Sequence, residues 1–188
     1  MKQTSVKTIS LVGVMAAMIF VATAFIHIPI PSPTGMTMIK TGNILCLLAG
    51  LLLGKVNGGF AAGLGSMFYD LTNPLYISSA PTTFINFFLM AFICGLLFEK
   101  IGQKSKFGLV ISCVVGAFSY VVLYFSKSVL STCLVGSLFV PAVIANLTKL
   151  ATSTFNATIA TIFAIILYPI FIKILTRANI ISDKKATN

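Results

Sequence analysis

The segment Leu109–Phe125 reads LVISCVVGAFSYVVLYF and contains no charged residue. A second segment, Ile159–Ile172, reads IATIFAIILYPIFI and is equally apolar. Hydrophobic residues make up 57% of the chain and charged residues 9%, whereas a soluble domain carries about a quarter charged residues. Because such segments prefer lipid to water, the sequence predicts an integral membrane protein.

Six apolar segments predict an all-α, polytopic membrane protein with six transmembrane helices, forming a single integral membrane domain over residues 1–188. Main-chain polar groups in lipid must bond within their own segment, which favours helices. The second and third segments are shorter than the roughly 20 residues that a span needs. The glycine-rich turn between them predicts a compact helical hairpin. The predicted spans are Thr8–Ile28, Thr41–Val56, Gly59–Thr72, Pro81–Phe98, Phe107–Phe125 and a last span that ends near Leu175.

Most of the positive charge falls on one side of the predicted membrane arrangement. Ten basic residues lie at the two termini and at alternate junctions, which share that side, and Lys40, Lys127 and Lys149 lie on the opposite side. The positive-inside rule then predicts that both termini are cytoplasmic, which requires an even number of spans. Topology and lipid headgroups explain the net charge of +10 better than nucleic acid does. The ten residues are Lys2, Lys7, Lys55, Lys100, Lys104, Lys106, Lys173, Arg177, Lys184 and Lys185.

The segment Ser126–Thr148 is moderately apolar and offers a possible seventh span. A seventh span would move the basic C-terminus to the outside and break the charge rule. We therefore expect a long, partly re-entrant external connection that is interrupted by Pro141. Such non-helical backbone is tolerated at membrane depth where it lines a cavity.

The residue types that enzymes and metal sites use are scarce. The chain has three carboxylates, Asp70, Glu99 and Asp183, and one histidine, His27. They are too few for a metal site or a catalytic cluster, and no glycine-rich phosphate loop with a following lysine is present. We therefore expect no catalysis, no metal and no cofactor. The four cysteines are expected to be free, buried thiols.

Polar side chains collect at the predicted outer ends of the spans, while the inner ends carry mainly lysines. Asp70 is the carboxylate closest to the membrane on that side, and Lys40 or Lys149 is its expected partner. Converging polar groups with aromatic walls suit a small, polar, partly planar ligand. Helix capping, an interfacial aromatic belt, favoured for Tyr124, and snorkelling lysines remain alternatives. The candidate binding residues are Lys40, Asn43, Tyr69, Asp70, Tyr76, Thr83, Asn86, Asn146 and Lys149.

Small residues recur on one face of the first span. Gly13 and Ala17 are four positions apart and Ala16 is adjacent. This spacing allows a second helix to approach closely, although such patterns are frequent by chance.

Three stretches together resemble a known family. Residues 41–54 read TGNILCLLAGLLLG, residues 58–66 read GGFAAGLGS, and after Asp70 residues 80–84 read APTTF. They resemble the substrate-binding S components of energy-coupling factor (ECF) vitamin transporters, with the greatest similarity to the branch for hydroxymethylpyrimidine and related vitamin precursors. The resemblance extends over nearly the whole chain.

The resemblance implies a six-helix subunit that binds a water-soluble vitamin near the external side of a prokaryotic plasma membrane. It implies as partners a transmembrane coupling subunit, contacted through Gly13, Ala16 and Ala17, and two cytoplasmic ATPases. Hydroxymethylpyrimidine, pyridoxine-type vitamers, pantothenate and riboflavin are the ligand candidates. The alternative is a self-sufficient small carrier or channel, and a third class is a membrane enzyme or an assembly factor.

Overall fold

The computed structural model describes residues 6–102 and 106–177, and this part of the chain is a helical bundle with one β-hairpin. The terminal lysines of the charge pattern, together with Lys104 and Asp183, lie outside the described residues. The elements are α1 (Val6–Phe25), β1 (His27–Ser32), β2 (Gly35–Lys40), α2 (Gly42–Leu53), α3 (Lys55–Thr72), a 3₁₀ turn (Ile77–Ser79), α4 (Ala80–Lys100), α5 (Lys106–Leu134), α6 (Phe139–Ala145) and α7 (Leu147–Arg177).

Four helical segments of the described chain are long and apolar enough to cross a membrane, and they comprise α1, the 3₁₀ turn with α4, α5 and α7. The prediction of a helical, polytopic membrane protein is therefore confirmed. Helix α2 is apolar but has only 12 residues. Helix α3 begins at Lys55, four residues earlier than predicted, because Gly54 adopts a positive φ of 82° and makes the turn alone. The predicted compact hairpin of α2 and α3 is present.

Successive long helices run in opposite directions. Helices α3 and α4 are antiparallel, since Gly59 packs against Phe88 and Gly63 packs against Phe84. After α5 the chain turns through the short α6, and α7 returns, so Val6 and the end of α7 lie at one end of the bundle. We call this the basic end; it includes the Gly54 turn and the end of α4. The opposite, hairpin end contains the β-hairpin, residues 73–79 and α6.

The β-hairpin is absent from the all-α prediction, which extended the first helix to Ile28. Helix α1 ends at Phe25, and β1 pairs with β2 from His27–Lys40 to Ser32–Gly35. Pro29 and Pro31 are two positions apart in β1, so their main-chain nitrogen atoms, which carry no hydrogen, face the same edge of the strand. In a two-stranded sheet that edge needs no donors, and proline is tolerated there.

The segment Ser126–Thr148 is helical over most of its length, so the expectation of non-helical backbone interrupted at Pro141 is wrong. Helix α5 continues to Leu134, and α6 has seven residues, which span about 10 Å and cannot cross a bilayer. Pro141 lies in the first turn of α6, where a missing N–H costs no helical hydrogen bond. The structure therefore shows no separate seventh span in this part of the described chain.

Candidate binding site at the hairpin end

A cavity of about 600 Å³ lies at the hairpin end between the hairpin and helices α3, α4, α5 and α7. This volume is in the range of small-molecule sites. Helix α5 contributes one continuous face, because its cavity residues recur at the helical period of three to four positions. These residues are Tyr120, Tyr124, Lys127, Ser128, Ser131 and Thr132, and Val135 lines the cavity directly after the helix ends.

Charged groups converge on Asp70, which is buried with 4% of its surface exposed. Lys40 from β2 and Lys127 from α5 both act on the Asp70 carboxylate, and the Thr83 side chain lies beside it. The Lys40 Nζ atom also lies 4.4 Å from the centre of the Phe87 ring, a favourable cation–π distance. Burial lowers the pKa of Lys40, and the attraction of Asp70 opposes that change.

Aromatic side chains form the wall next to this charged group. Phe87 and Tyr120 have ring centres 4.9 Å apart, and Tyr120 stacks on Tyr124 at 5.8 Å. The Tyr76 hydroxyl is buried and has no hydrogen-bond partner among the described residues. Burial raises the pKa of Tyr76 to about 12, so this hydroxyl stays protonated at neutral pH. It is a donor available to a ligand in the cavity.

The base of the hairpin is fastened to α7 by one side chain. The Asn156 Oδ1 atom accepts a hydrogen bond of 3.2 Å from the Lys40 main-chain N–H. Its Nδ2 atom donates to the Met38 carbonyl at 2.8 Å. Asn156 is buried, with 3% of its surface exposed, so both bonds are shielded from water and hold β2 against the cavity wall.

The tip of the hairpin is fastened as well. The Thr34 hydroxyl donates to Asn146 Oδ1 at 2.7 Å, and the Lys149 Nζ atom donates to the Thr34 carbonyl at 3.0 Å. Asn146 is itself fixed, since its Nδ2 atom donates to the Thr132 hydroxyl at 2.9 Å. In the strand that follows, Thr37 accepts a hydrogen bond of 3.3 Å from the Tyr124 hydroxyl. The tip and the second strand of the hairpin are therefore held against the helices that line the cavity.

The structure brings six of the nine predicted binding residues to this cavity. The other three, Asn43, Tyr69 and Asn146, do not line it. Asn43 is fully buried beside Tyr120, and Asn146 fastens the hairpin tip as described above. Tyr69 packs edge-on against His27 at 5.6 Å. The six cavity residues are Lys40, Asp70, Tyr76, Thr83, Asn86 and Lys149.

Sequence reasoning missed the contribution of α5. Lys127 was treated only as an outer-side charge, and Tyr124 was interpreted as part of an aromatic belt, yet both line the cavity. The Lys127 Nζ atom also donates to the Ser79 hydroxyl at 3.2 Å. The sequence signal for these two residues is the helical spacing of polar and aromatic side chains from Tyr120 to Thr132. That spacing indicates a common face only if α5 continues past Phe125.

Two of the three small residues of α1 are exposed, and the third is buried against α3. Gly13 and Ala17 are exposed, and a Cβ atom built on Gly13 meets nothing within 4 Å. Ala16 is buried, because its main chain packs against Gly65 of α3. Of the three predicted interface residues, only Gly13 and Ala17 are therefore free to meet another protein.

Residues that bind metals are dispersed. Within residues 6–102 and 106–177, no three histidine, cysteine, aspartate or glutamate side chains come together in a way that would hold a metal ion. Over the same ranges all four cysteines are free, and three of them are buried. The prediction of free thiols is confirmed.

A family model described as "ECF-type riboflavin transporter, S component" matches residues 3–176. No curated protein matches the chain. The family match covers nearly the whole chain, including every helix and the hairpin that enclose the cavity. Its description names riboflavin, whereas the sequence motifs resemble the hydroxymethylpyrimidine branch. The chain belongs to the S-component family of ECF-type transporters, whose members are substrate-binding membrane subunits.

Proposed function

We propose that this chain captures a small water-soluble vitamin or vitamin precursor in the cavity under the hairpin and delivers it through an ATP-driven ECF complex. The observation that carries the proposal is the cavity itself. It is lined in part by a hairpin that three buried or half-buried side chains, Asn156, Asn146 and Lys149, fasten to the bundle. An unpartnered Tyr76 hydroxyl and a buried Asp70 supply directed polar contacts inside it.

The charge distribution supports capture from the outside. Among the basic residues that the structure describes, Lys40, Lys127 and Lys149 lie at the hairpin end with the cavity, and the others lie at the basic end. The positive-inside rule therefore favours an external cavity, with both termini in the cytoplasm of a prokaryotic cell. With α2 and α3 shielded by the longer helices, the bundle provides six spans. Short helices of this kind are tolerated when neighbours cover them.

The ligand candidates are riboflavin, hydroxymethylpyrimidine, pyridoxine-type vitamers and pantothenate. Riboflavin is favoured by the description of the matching family. The adjacent Phe87, Tyr120 and Tyr124 rings, of which Tyr120 and Tyr124 are stacked, offer a surface on which a planar heterocycle would stack. The size of the cavity admits all four candidates, so the choice requires a binding measurement.

Energy for release would come from partner proteins. Among the residues that the structure describes, no glycine-rich phosphate loop is present, and the exposed Gly13 and Ala17 offer a close-packing face for a transmembrane coupling subunit. Two cytoplasmic ATPases would complete the complex. The competing function is a self-sufficient carrier or channel, which needs none of these partners.

A thermal-shift screen of the purified protein against the four candidates tests the binding step. A ligand at 100 times its Kd stabilises the native state by about 2.7 kcal/mol, so a tight ligand should produce a clear shift. Uptake of that ligand is then compared in vesicles that contain this protein alone and in vesicles that also contain the coupling complex and ATP. The proposal expects uptake only in the second case, whereas uptake by the protein alone would favour the carrier.

A further inference from the structure

The charges that line the cavity do not balance. Lys40, Lys127 and Lys149 line it, and Asp70 is the one carboxylate among its described lining residues. The Asp70 carboxylate attracts the ammonium groups of both Lys40 and Lys127, so one negative charge is shared between two positive charges. Removing charge from water without a partner is unfavourable, and buried or half-buried cations are normally paired. The lining of the cavity therefore carries an excess of positive charge.

The excess is concentrated at Lys127 and Lys149. These two ammonium groups repel each other, and Asp70 offsets the charge of Lys127. Lys149 also lies in the first turn of α7, where the positive end of the helix dipole disfavours a cation. Among the described residues, the Lys127 Nζ atom donates one hydrogen bond, to the Ser79 hydroxyl, and the Lys149 Nζ atom donates one, to the Thr34 carbonyl. Each ammonium group has three N–H donors, so further donors remain for a ligand.

Hydroxyl side chains line the same cavity. Ser128 and Ser131 project from the face of α5 that carries Lys127, whereas the Thr132 hydroxyl, which also lines the cavity, already donates to the Ser128 carbonyl. Lysine ammonium groups together with hydroxyl donors are the groups that hold carboxylate and phosphate oxygens in proteins. The aromatic wall is separate from them, since Tyr120 precedes Lys127 by two helical turns, about 10 Å along the axis.

We infer that the ligand of this cavity carries an anionic group, a carboxylate or a phosphate, which binds between Lys127 and Lys149 while its less polar part lies against Phe87 and Tyr120. This inference rests on the proposed function, because it names the chemical class of the ligand in the same cavity. It selects pantothenate, or a phosphorylated form of a flavin or pyridoxine-type vitamer, over the neutral candidates.

Matched pairs of probes that differ in one anionic group test the inference. The pairs are riboflavin 5′-phosphate with riboflavin, pyridoxal 5′-phosphate with pyridoxal, and pantothenate with pantothenol. Equilibrium binding to the purified full chain is measured for each. In the scaffold that binds, the anionic member is expected to bind about tenfold more tightly or better, the range for a charge-assisted hydrogen bond. Its advantage should shrink as salt is added.

Variants assign this preference to the two lysines. Lys127→Gln and Lys149→Gln should each reduce the ratio of anionic to neutral affinity by about tenfold, because each removes one charge-assisted contact. Lys127→Arg and Lys149→Arg should retain most of the ratio, which separates charge from folding. Lys173→Gln, at an exposed position of the basic end, is the matched control and should leave the ratio unchanged.

Three results would overturn the inference. If the neutral member of every binding pair binds as tightly as the anionic member, the anionic class is wrong while the vitamin-binding function stands. The same holds if the ratio survives both glutamine substitutions in proteins with wild-type thermal stability. If no probe of any pair binds, the inference fails, and if hydroxymethylpyrimidine does not bind either, the proposed function fails with it.

Discussion

The Asn156 side-chain amide of α7 donates a hydrogen bond of 2.8 Å to the main-chain carbonyl of Met38 in β2. The same side chain accepts from the Lys40 N–H, so one residue pairs with the main chain of the hairpin as a third strand would. This contact joins residues 118 positions apart. It explains how a two-stranded sheet, which is marginally stable alone, keeps a fixed position over the cavity.

Asn156→Ala should therefore loosen the hairpin. Both hydrogen bonds are lost and two main-chain groups of β2 are left without partners, which costs about 1–3 kcal/mol of folding free energy. Ligand dissociation should accelerate because the hairpin opens more often. Stopped-flow dissociation and thermal unfolding measure the two effects. Thr154→Ala is the control, since this exposed hydroxyl bonds only within α7. Equal dissociation rates for the wild type and Asn156→Ala would show that the hairpin does not gate the cavity.

Tyr76→Phe tests the unpartnered hydroxyl. If the ligand accepts a hydrogen bond from this group, the substitution should lower the affinity by about 0.5–1.5 kcal/mol without lowering the stability of the unliganded protein. Because its pKa is raised to about 12, the hydroxyl keeps its proton and can donate a hydrogen bond at neutral pH. The contribution of Tyr76 should therefore be constant across neutral pH and be lost only in strong alkali.

Titration calorimetry at several pH values measures this contribution. Tyr168→Phe removes a hydroxyl from α7 near the basic end, where the ring packs against Phe98, and should leave the affinity unchanged. An unchanged affinity in Tyr76→Phe would mean that the ligand does not use this hydroxyl.

The exposed small residues of α1 should matter for uptake and not for binding. Gly13→Leu and Ala17→Leu add bulk to the face proposed for the coupling subunit, so helix approach is blocked and uptake should be abolished. Ligand affinity of the isolated protein should be unchanged, because neither residue lines the cavity. Ala151→Leu, at an exposed position of α7, is the matched control. Wild-type co-purification of the coupling subunit with both α1 variants would contradict the proposed interface.

Because α2 packs closely against α3, we expect that Gly58 cannot be replaced by a larger residue without loss of stability. A Cβ atom on Gly58 would lie 2.6 Å from the Gly50 Cα atom and closer still to the Ala49 carbonyl oxygen. Because main-chain atoms cannot easily move aside, Gly58→Ala should destabilise the fold by about 1–3 kcal/mol. Gly13→Ala, in open space on α1, should be neutral or stabilise the helix by up to about 1 kcal/mol. Unfolding of the two purified variants in detergent compares them directly, and equal stabilities would contradict the packing.

The parts of the fold that were predictable depend on local signals. Apolar segments such as Leu109–Phe125 indicate a helical membrane protein, and Gly54 marks the turn between α2 and α3. The alternating prolines at 29 and 31 did carry a signal for an edge strand. That signal was overlooked because the preceding apolar helix continued without a break in composition to Ile28.

The binding site was less predictable because its assembly depends on distant contacts. Asp70 and Lys40 were correctly associated from their common side of the membrane. Nothing local indicates that Asn156 bonds to Met38, or that Asn146 supports the hairpin tip rather than the cavity. The role of Lys127 depended on the length of α5, and a moderately apolar sequence after Phe125 did not reveal it.

The most direct test of the central claim is hydrogen exchange of the purified protein, followed by mass spectrometry with and without the ligand identified in the binding screen. A ligand in the cavity should protect the hairpin, residues 27–40, because its opening becomes coupled to ligand release. Protection should extend to the cavity face of α5 around residues 120–132. If the hairpin exchanges equally in both states while protection appears at the basic end, the ligand binds elsewhere and the account is contradicted.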